Sequence, residues 1–190
     1  MAAEPVVGLL LAAGRGKRFD PSGQRDKLLA LLPSGVPVAV AAARNLRAAL
    51  VRVIAVVRPD AEALEISLRD TGCEVLVCPQ ADEGTGTVLA CAIQHCADSS
   101  GWLVALADIP YIMPETYALV IGALNEHDLV APFCNGQRGH PVGFGRRYLS
   151  QLLALKGDHG ARELISQSTL HKVLTNDNGI LRDIDLHSDL

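Results

Sequence analysis

The sequence is short of aromatic residues (4%), has no excess of positive charge, contains no CxxC pair and has no apolar run long enough to span a bilayer. Each shortage removes a class of protein. With 17 Lys and Arg against 21 Asp and Glu, the net charge of -4 excludes a broad basic face for nucleic acid or an anionic membrane. Any anion site must come from a local concentration of cations. The five cysteines (73, 78, 91, 96 and 134) are an odd number without zinc-ligand spacing, so they read as small buried apolar residues in a reducing compartment. The opening MAAEPVV carries an acid where a secretory leader carries Lys or Arg, and no apolar stretch reaches the roughly 18 residues of a transmembrane helix. The expectation is a soluble, cytoplasmic protein that uses neither nucleic acid nor a membrane.

What is present is apolar bulk: 49% hydrophobic residues in 190, enough for one sizeable core and a single domain over 1–190. Strand-like runs at 6–12, 51–57, 73–78, 102–107 and 128–133 alternate with helix-like stretches at 37–50, 60–70, 87–97 and 114–127. Several of the strand runs are continuously apolar, as strands are when helices cover both faces. This alternation predicts a three-layer α/β/α sandwich around a Rossmann-like, mostly parallel sheet. After residue 133 the pattern loosens into a glycine-rich loop (NGQRGHPVGFG), a helical YLSQLLAL, the segment HGARELISQ, a short HKVLT and the tail ILRDIDLHSDL. Ligands of such sheets sit beyond the carboxyl ends of the strands.

The loop after the first strand is the place to look. In GLLLAAGRGKRFDPSGQRDKLL, Arg15, Lys17, Arg18, Arg25 and Lys27 face only Asp20 and Asp26. Gly14 and Gly16 bare the backbone, offering amides to phosphate oxygens. A Walker loop fails, because Arg18 stands where Ser or Thr should follow the lysine. A dinucleotide loop fits poorly, since Phe19 occupies the third small position, although Arg58 after the second strand would suit the 2′-phosphate of NADP and keeps a reductase as a rival. A triphosphate uses the whole basic excursion, with Arg18 and Lys27 neutralising charge at the attacked α-phosphate and the departing pyrophosphate.

LLLAAGRGKRF followed by DKLL resembles the signature of the nucleotidyltransferases that attach a nucleotide to molybdopterin. CPQADEGTG, LADIP, GQRGHPVGF, GDHGAR and DIDLHSDL resemble that family's later segments in order, so the likeness runs from residue 6 to 190. It is nearest to the cytidylyltransferase branch, through Leu11-Ala12-Ala13-Gly14 and the GHPV and GDxGAR pair.

The resemblance implies a fold of the nucleotide-diphospho-sugar transferase type and transfer of CMP from CTP to the phosphate of molybdopterin, with release of pyrophosphate. It implies nucleotide contacts from Leu11, Ala12, Ala13, Gly14, Gly16, Pro79 and Gly84, and Mg²⁺ on Asp108 and Asp185. Asp108, Lys27 and Arg18 become the catalytic residues. Mg²⁺ takes one or two protein carboxylates and fills its shell with phosphate and water oxygens, which suits that pair. A phosphate monoester needs no general base, its second pKa being about 6, so His140 reads as an acceptor-site contact. Asp158 reads as the start of a helix on the molybdopterin side, with Arg162 close to the acceptor phosphate. An acceptor molybdoenzyme or its chaperone is the implied protein partner.

Alternatives stay open: GTP as donor, a sugar phosphate or phospholactate as acceptor, or a nucleotide-binding module without turnover. Three segments depart from the family pattern. Phe19-Asp20 is followed by an inserted PSGQR, Val88 follows Thr85-Gly86-Thr87 where relatives often carry a serine, and Leu186-His187-Ser188 replaces Thr-Pro-Glu in the tail.

Overall fold

The runs at 6–12, 51–57, 102–107 and 128–133 become largely buried strands, whereas the run at 73–78 becomes a half-exposed strand at the sheet edge. The computed structural model describes residues 5–190; the reading of the acidic opening rests partly on residues 1–4, which lie outside the described residues. The first four strands are β1 (Val7–Leu11), β2 (Val53–Val57), β3 (Glu74–Val77) and β4 (Gly101–Leu106). They are joined by β5 (Leu129–Cys134), β6 (Gln137–Arg138), β7 (Val142–Gly145) and β8 (His171–Leu174). The order is β3-β2-β1-β4-β7-β5-β6, and β8 pairs in parallel with β5. The pairs β1·β2, β1·β4 and β2·β3 are parallel, whereas β7 runs antiparallel to both β4 and β5.

Alternation along β1 divides the core. Leu10 points to one side, with α1 (Val38–Ala49), α2 (Glu62–Arg69) and α4 (Pro114–Ala123). Leu9 points to the other, with α3 (Thr85–His95), α5 (Leu149–Leu153) and α6 (Arg162–Ser166). Proline sets two of the helix starts: Pro37 precedes α1 at φ -59°, and Pro114 opens α4, where its missing N–H is no loss. Leu9, Leu10, Ile54 and Leu103 are wholly buried, each contributing about 1.5–3 kcal/mol by leaving water. No helix among the described residues is long and apolar enough to cross a membrane.

The predicted sandwich is present, with two local corrections. The segment read as a glycine-rich loop after residue 133 contains β6 and β7, and β7 inserts between β4 and β5 with Trp102 opposite Phe144. Its four residues, VGFG, are too few and too glycine-rich to display a strand period. Asp158 does not begin a helix: α6 starts at Arg162, after Ala161, with no side-chain cap.

The tail crosses back over the sheet as 3₁₀ turns anchored by Asp177, which is buried. Its Oδ2 accepts from Met113 N (2.8 Å) and Thr116 Oγ1 (2.7 Å), and its Oδ1 from Gly179 N (2.8 Å). Further on, Ile184 N donates to the Asp108 carbonyl at 2.9 Å.

Candidate active site

The carboxyl ends of β1, β3 and β4 surround a cavity of about 680 Å³ lined by Leu11, Gly14, Lys27, Gly84, Thr85 and Asp108, among others. The loop after β1 makes one wall. Gly16 has φ 58°, and an added Cβ would stand 3.0 Å from the Lys27 Cβ, so only glycine lets this loop lie against the lysine. Asp26 fixes the turn that carries Lys27 by accepting from Leu28 N at 2.9 Å, and Arg58 Nη2 holds the same carboxylate at 2.7 Å. The inserted PSGQR folds on itself, with Asp20 accepting from Ser22 N, Ser22 Oγ and Arg25 N.

Lys27 is the electrostatic centre. Its side chain is 10% exposed, and its Nζ lies 2.7 Å from Asp108 Oδ2 and 3.5 Å from Asp185 Oδ1. Arg18 reaches in from solvent to Asp185 Oδ2 at 2.6 Å. Lys27, Arg18, Asp108 and Asp185 therefore converge from three separate segments. Asp183, which the sequence reading did not single out, stands close by, and desolvation together with the charges of Asp185 and Asp108 raises its carboxyl pKa. Its signal was its place in the same DID triplet.

Two hard carboxylates flanking one buried cation are a donor set that suits a divalent ion. Among the described residues no group of three or more His, Cys, Asp or Glu is arranged to hold an ion alone. Most of a metal's shell would then come from substrate and water oxygens.

The other predicted contacts divide. Leu11, Ala13, Gly14, Gly16, Gly84 and Asp158 line the cavity. Ala12 does not: it is buried, and its amide donates to the Val56 carbonyl at 2.9 Å, so the sheet uses the group expected to meet the nucleotide. Pro79 is exposed and does not line the cavity; Ala81, Asp82 and Thr85 do so from the same loop. Gly84 has φ 122°, and a Cβ there would collide with Asp158 Oδ1 and the Gly157 carbonyl carbon. That close approach fixes Asp158 on the cavity wall.

Sequence reasoning also missed the clasp at the cavity mouth. Arg15 donates through Nε and Nη2 to Asp82 at 2.6 and 2.7 Å, and through Nη1 to Asp60 at 3.0 Å. These hydrogen bonds lower the pKa of Asp60 and Asp82. Arg58, offered to NADP in the rival reading, is committed to Asp26 and to the Gly14 carbonyl at 3.1 Å. The carboxylates answering the basic loop come from distant loops, and no local motif announces them.

A second cavity, of about 740 Å³, adjoins the first and shares Leu11, Thr85, Leu106 and Asp158 with it. His140 and Arg162 line it. Burial, then the nearby Arg138 charge, pushes the His140 imidazole down to about 4, so it is neutral near pH 7.

A nucleotide-sized pocket beside a lysine between two aspartates narrows the choice of family, and the match of residues 8–173 to the MobA-like NTP transferase domain decides it. The chain belongs to this family. The NADP reductase reading falls with that match. The bifunctional protein GlmU of Geobacter sulfurreducens is 30% identical over 145 residues, 74% of this chain, and the match spans only 29% of that relative's length. Rv0371c of Mycobacterium tuberculosis H37Rv, solved also as a manganese complex, has the same fold, with a TM-score of 0.81 at 22% identity over 97% of this chain and 95% of that one. The molybdopterin-guanine dinucleotide biosynthesis protein A of Archaeoglobus fulgidus gives a TM-score of 0.70 at 15% identity over 97% and 94%.

Proposed function

We propose that this MobA-like transferase moves CMP from CTP to the phosphate of molybdopterin and releases pyrophosphate. The observation that carries the reading is the convergence of Lys27, Asp108, Asp185 and Arg18 beside the glycine-loop cavity. The amides around Gly14 and Gly16 cradle the triphosphate. Asp108 and Asp185 would hold Mg²⁺, which would supply positive charge to the phosphate oxygens. Lys27 serves the charge on the α-phosphate, and Arg18 neutralises the leaving pyrophosphate. The acceptor phosphate enters from the second cavity, already ionised, so the chain needs only to orient it and keep water out. His140 is neutral there and shapes the wall rather than supplying charge.

The Leu11-Ala12-Ala13-Gly14 sequence favours cytidine. The name of the Archaeoglobus neighbour supports a second reading, guanylyl transfer to the same acceptor. Pyrophosphate release measured with CTP, GTP, ATP and UTP, each with molybdopterin and with or without Mg²⁺, separates them. The expected result is Mg²⁺-dependent turnover with CTP. Turnover confined to GTP replaces the donor, and no release with any pair rejects the reaction.

A further inference from the structure

Two of the stretches that depart from the family pattern, at opposite ends of the chain, meet beside the paired carboxylates. Phe19 opens the irregular part of the first loop, His187 stands where the tail changes, and their rings lie edge to face with centroids 5.6 Å apart. Charge used by the proposed reaction flanks the contact. Arg18, next to Phe19, places Nη1 2.6 Å from Oδ2 of Asp185, two residues before His187.

Each ring is carried on a turn closed by its own hydrogen bonds. Phe19 N and Asp20 N both donate to the Gly16 carbonyl, at 2.9 and 3.1 Å, and this turn packs Phe19 against the core while Arg18 stays exposed. In the tail, Asp189 Oδ2 accepts from Asp185 N at 2.9 Å and from Leu186 N at 2.6 Å, so Asp185 and His187 share one closed turn. None of these bonds crosses from one turn to the other. The bond from Ile184 N to the Asp108 carbonyl fixes the chain before Asp185. Beyond it, the turn is tied outward by His187 on Phe19 and by Leu190 against the core.

The two rings also line a cavity of about 440 Å³ with Leu29, Leu31 and Leu190. The tail is therefore not packed solid against the loop, and the ring pair is a principal contact across the seam. An edge-to-face pair is strong enough to shift a local docking equilibrium several-fold and too weak to decide whether the sheet folds. Its effect belongs to the placement of the neighbouring carboxylate.

We propose that Phe19 and His187 are positioning residues: their contact docks the tail turn so that Asp185 faces Lys27 and Asp108, and thereby sets the affinity of the two carboxylates for a divalent cation. This rests on the metal-dependent reading above, and the experiment separates the two. Mn²⁺ is titrated into the full chain without nucleotide, the free ion being read by electron paramagnetic resonance. Phe19→Ala and His187→Ala each weaken binding about 3- to 10-fold, and the double variant is no weaker than the poorer single one, as expected when both remove one contact. His187→Phe, which keeps an edge-to-face pair, stays within about two-fold of wild type. Unchanged affinity in both alanine variants overturns the proposal.

A second arm needs neither metal nor turnover. Hydrogen exchange of the peptide spanning residues 183–190, followed by mass spectrometry, runs about 3- to 10-fold faster in both alanine variants and returns toward the wild-type rate in His187→Phe. Equal rates overturn the docking role. Asp185→Asn tests the reading beneath the proposal, and loss of Mn²⁺ binding in that variant supports it. Binding that is unchanged in Asp185→Asn, or absent in wild type, rejects the metal site and the claim on affinity with it, and the exchange arm then decides the docking contact alone.

Discussion

Lys27 is where the two chemistries of the site meet. A buried ammonium lies between two carboxylates in the resting fold, and in the proposed reaction the same charge serves developing phosphate charge once substrate arrives. Lys27→Ala and Asp108→Ala are each expected to lower the rate of pyrophosphate release about 10²- to 10³-fold, with the far-ultraviolet circular dichroism of the folded chain retained. His140 gives a prediction of different sign. Its folded-state pKa of about 4 lies below the ordinary 6.5, so between these values the unfolded chain binds the additional proton. Stability is full above pH 6.5 and falls as pH drops toward 4, by about 3 kcal/mol at most from this group. Urea midpoints at pH 7.5 and 5.0 check this, and His140→Gln flattens the difference.

At the scale of elements, the tail does what its sequence barely suggests. Asp177 joins the start of α4 to the tail through three accepted hydrogen bonds. Asp177→Ala leaves buried donors unpaired and is expected to cost about 2–4 kcal/mol in urea unfolding, with Asp177→Asn costing less. The five apolar runs and their alternation were readable because a two-sided sheet demands continuous hydrophobicity. The β7 strand was not, since half of its residues are glycine. Nor was the meeting of two of the unusual segments: Phe19 and His187 pack edge to face with ring centroids 5.6 Å apart, joining the first loop to the tail beside the Arg18–Asp185 pair. The carboxylates and the lysine could be named from motif resemblance, whereas Asp183, the Arg15 clasp and the loss of the Ala12 amide depend on three-dimensional partners that sequence spacing does not encode.

At the scale of the molecule, the two cavities share a wall at Leu11, Thr85, Leu106 and Asp158 beside the central strands. The tail gives the core only Ile180 and Ile184 and is otherwise short turns with a few hydrogen bonds, so it belongs to the less stable part of the fold. On heating, pyrophosphate release is expected to fail about 5 °C below the midpoint of ellipticity loss, a separation read by assaying and recording both along one temperature ramp. The backbone bond from Ile184 to Asp108 explains why. It ties the segment through Ile184 to the backbone of Asp108, so in the proposed reaction a molecule whose sheet has formed but whose tail turns have not docked is expected to be inert, and turnover would report that docking.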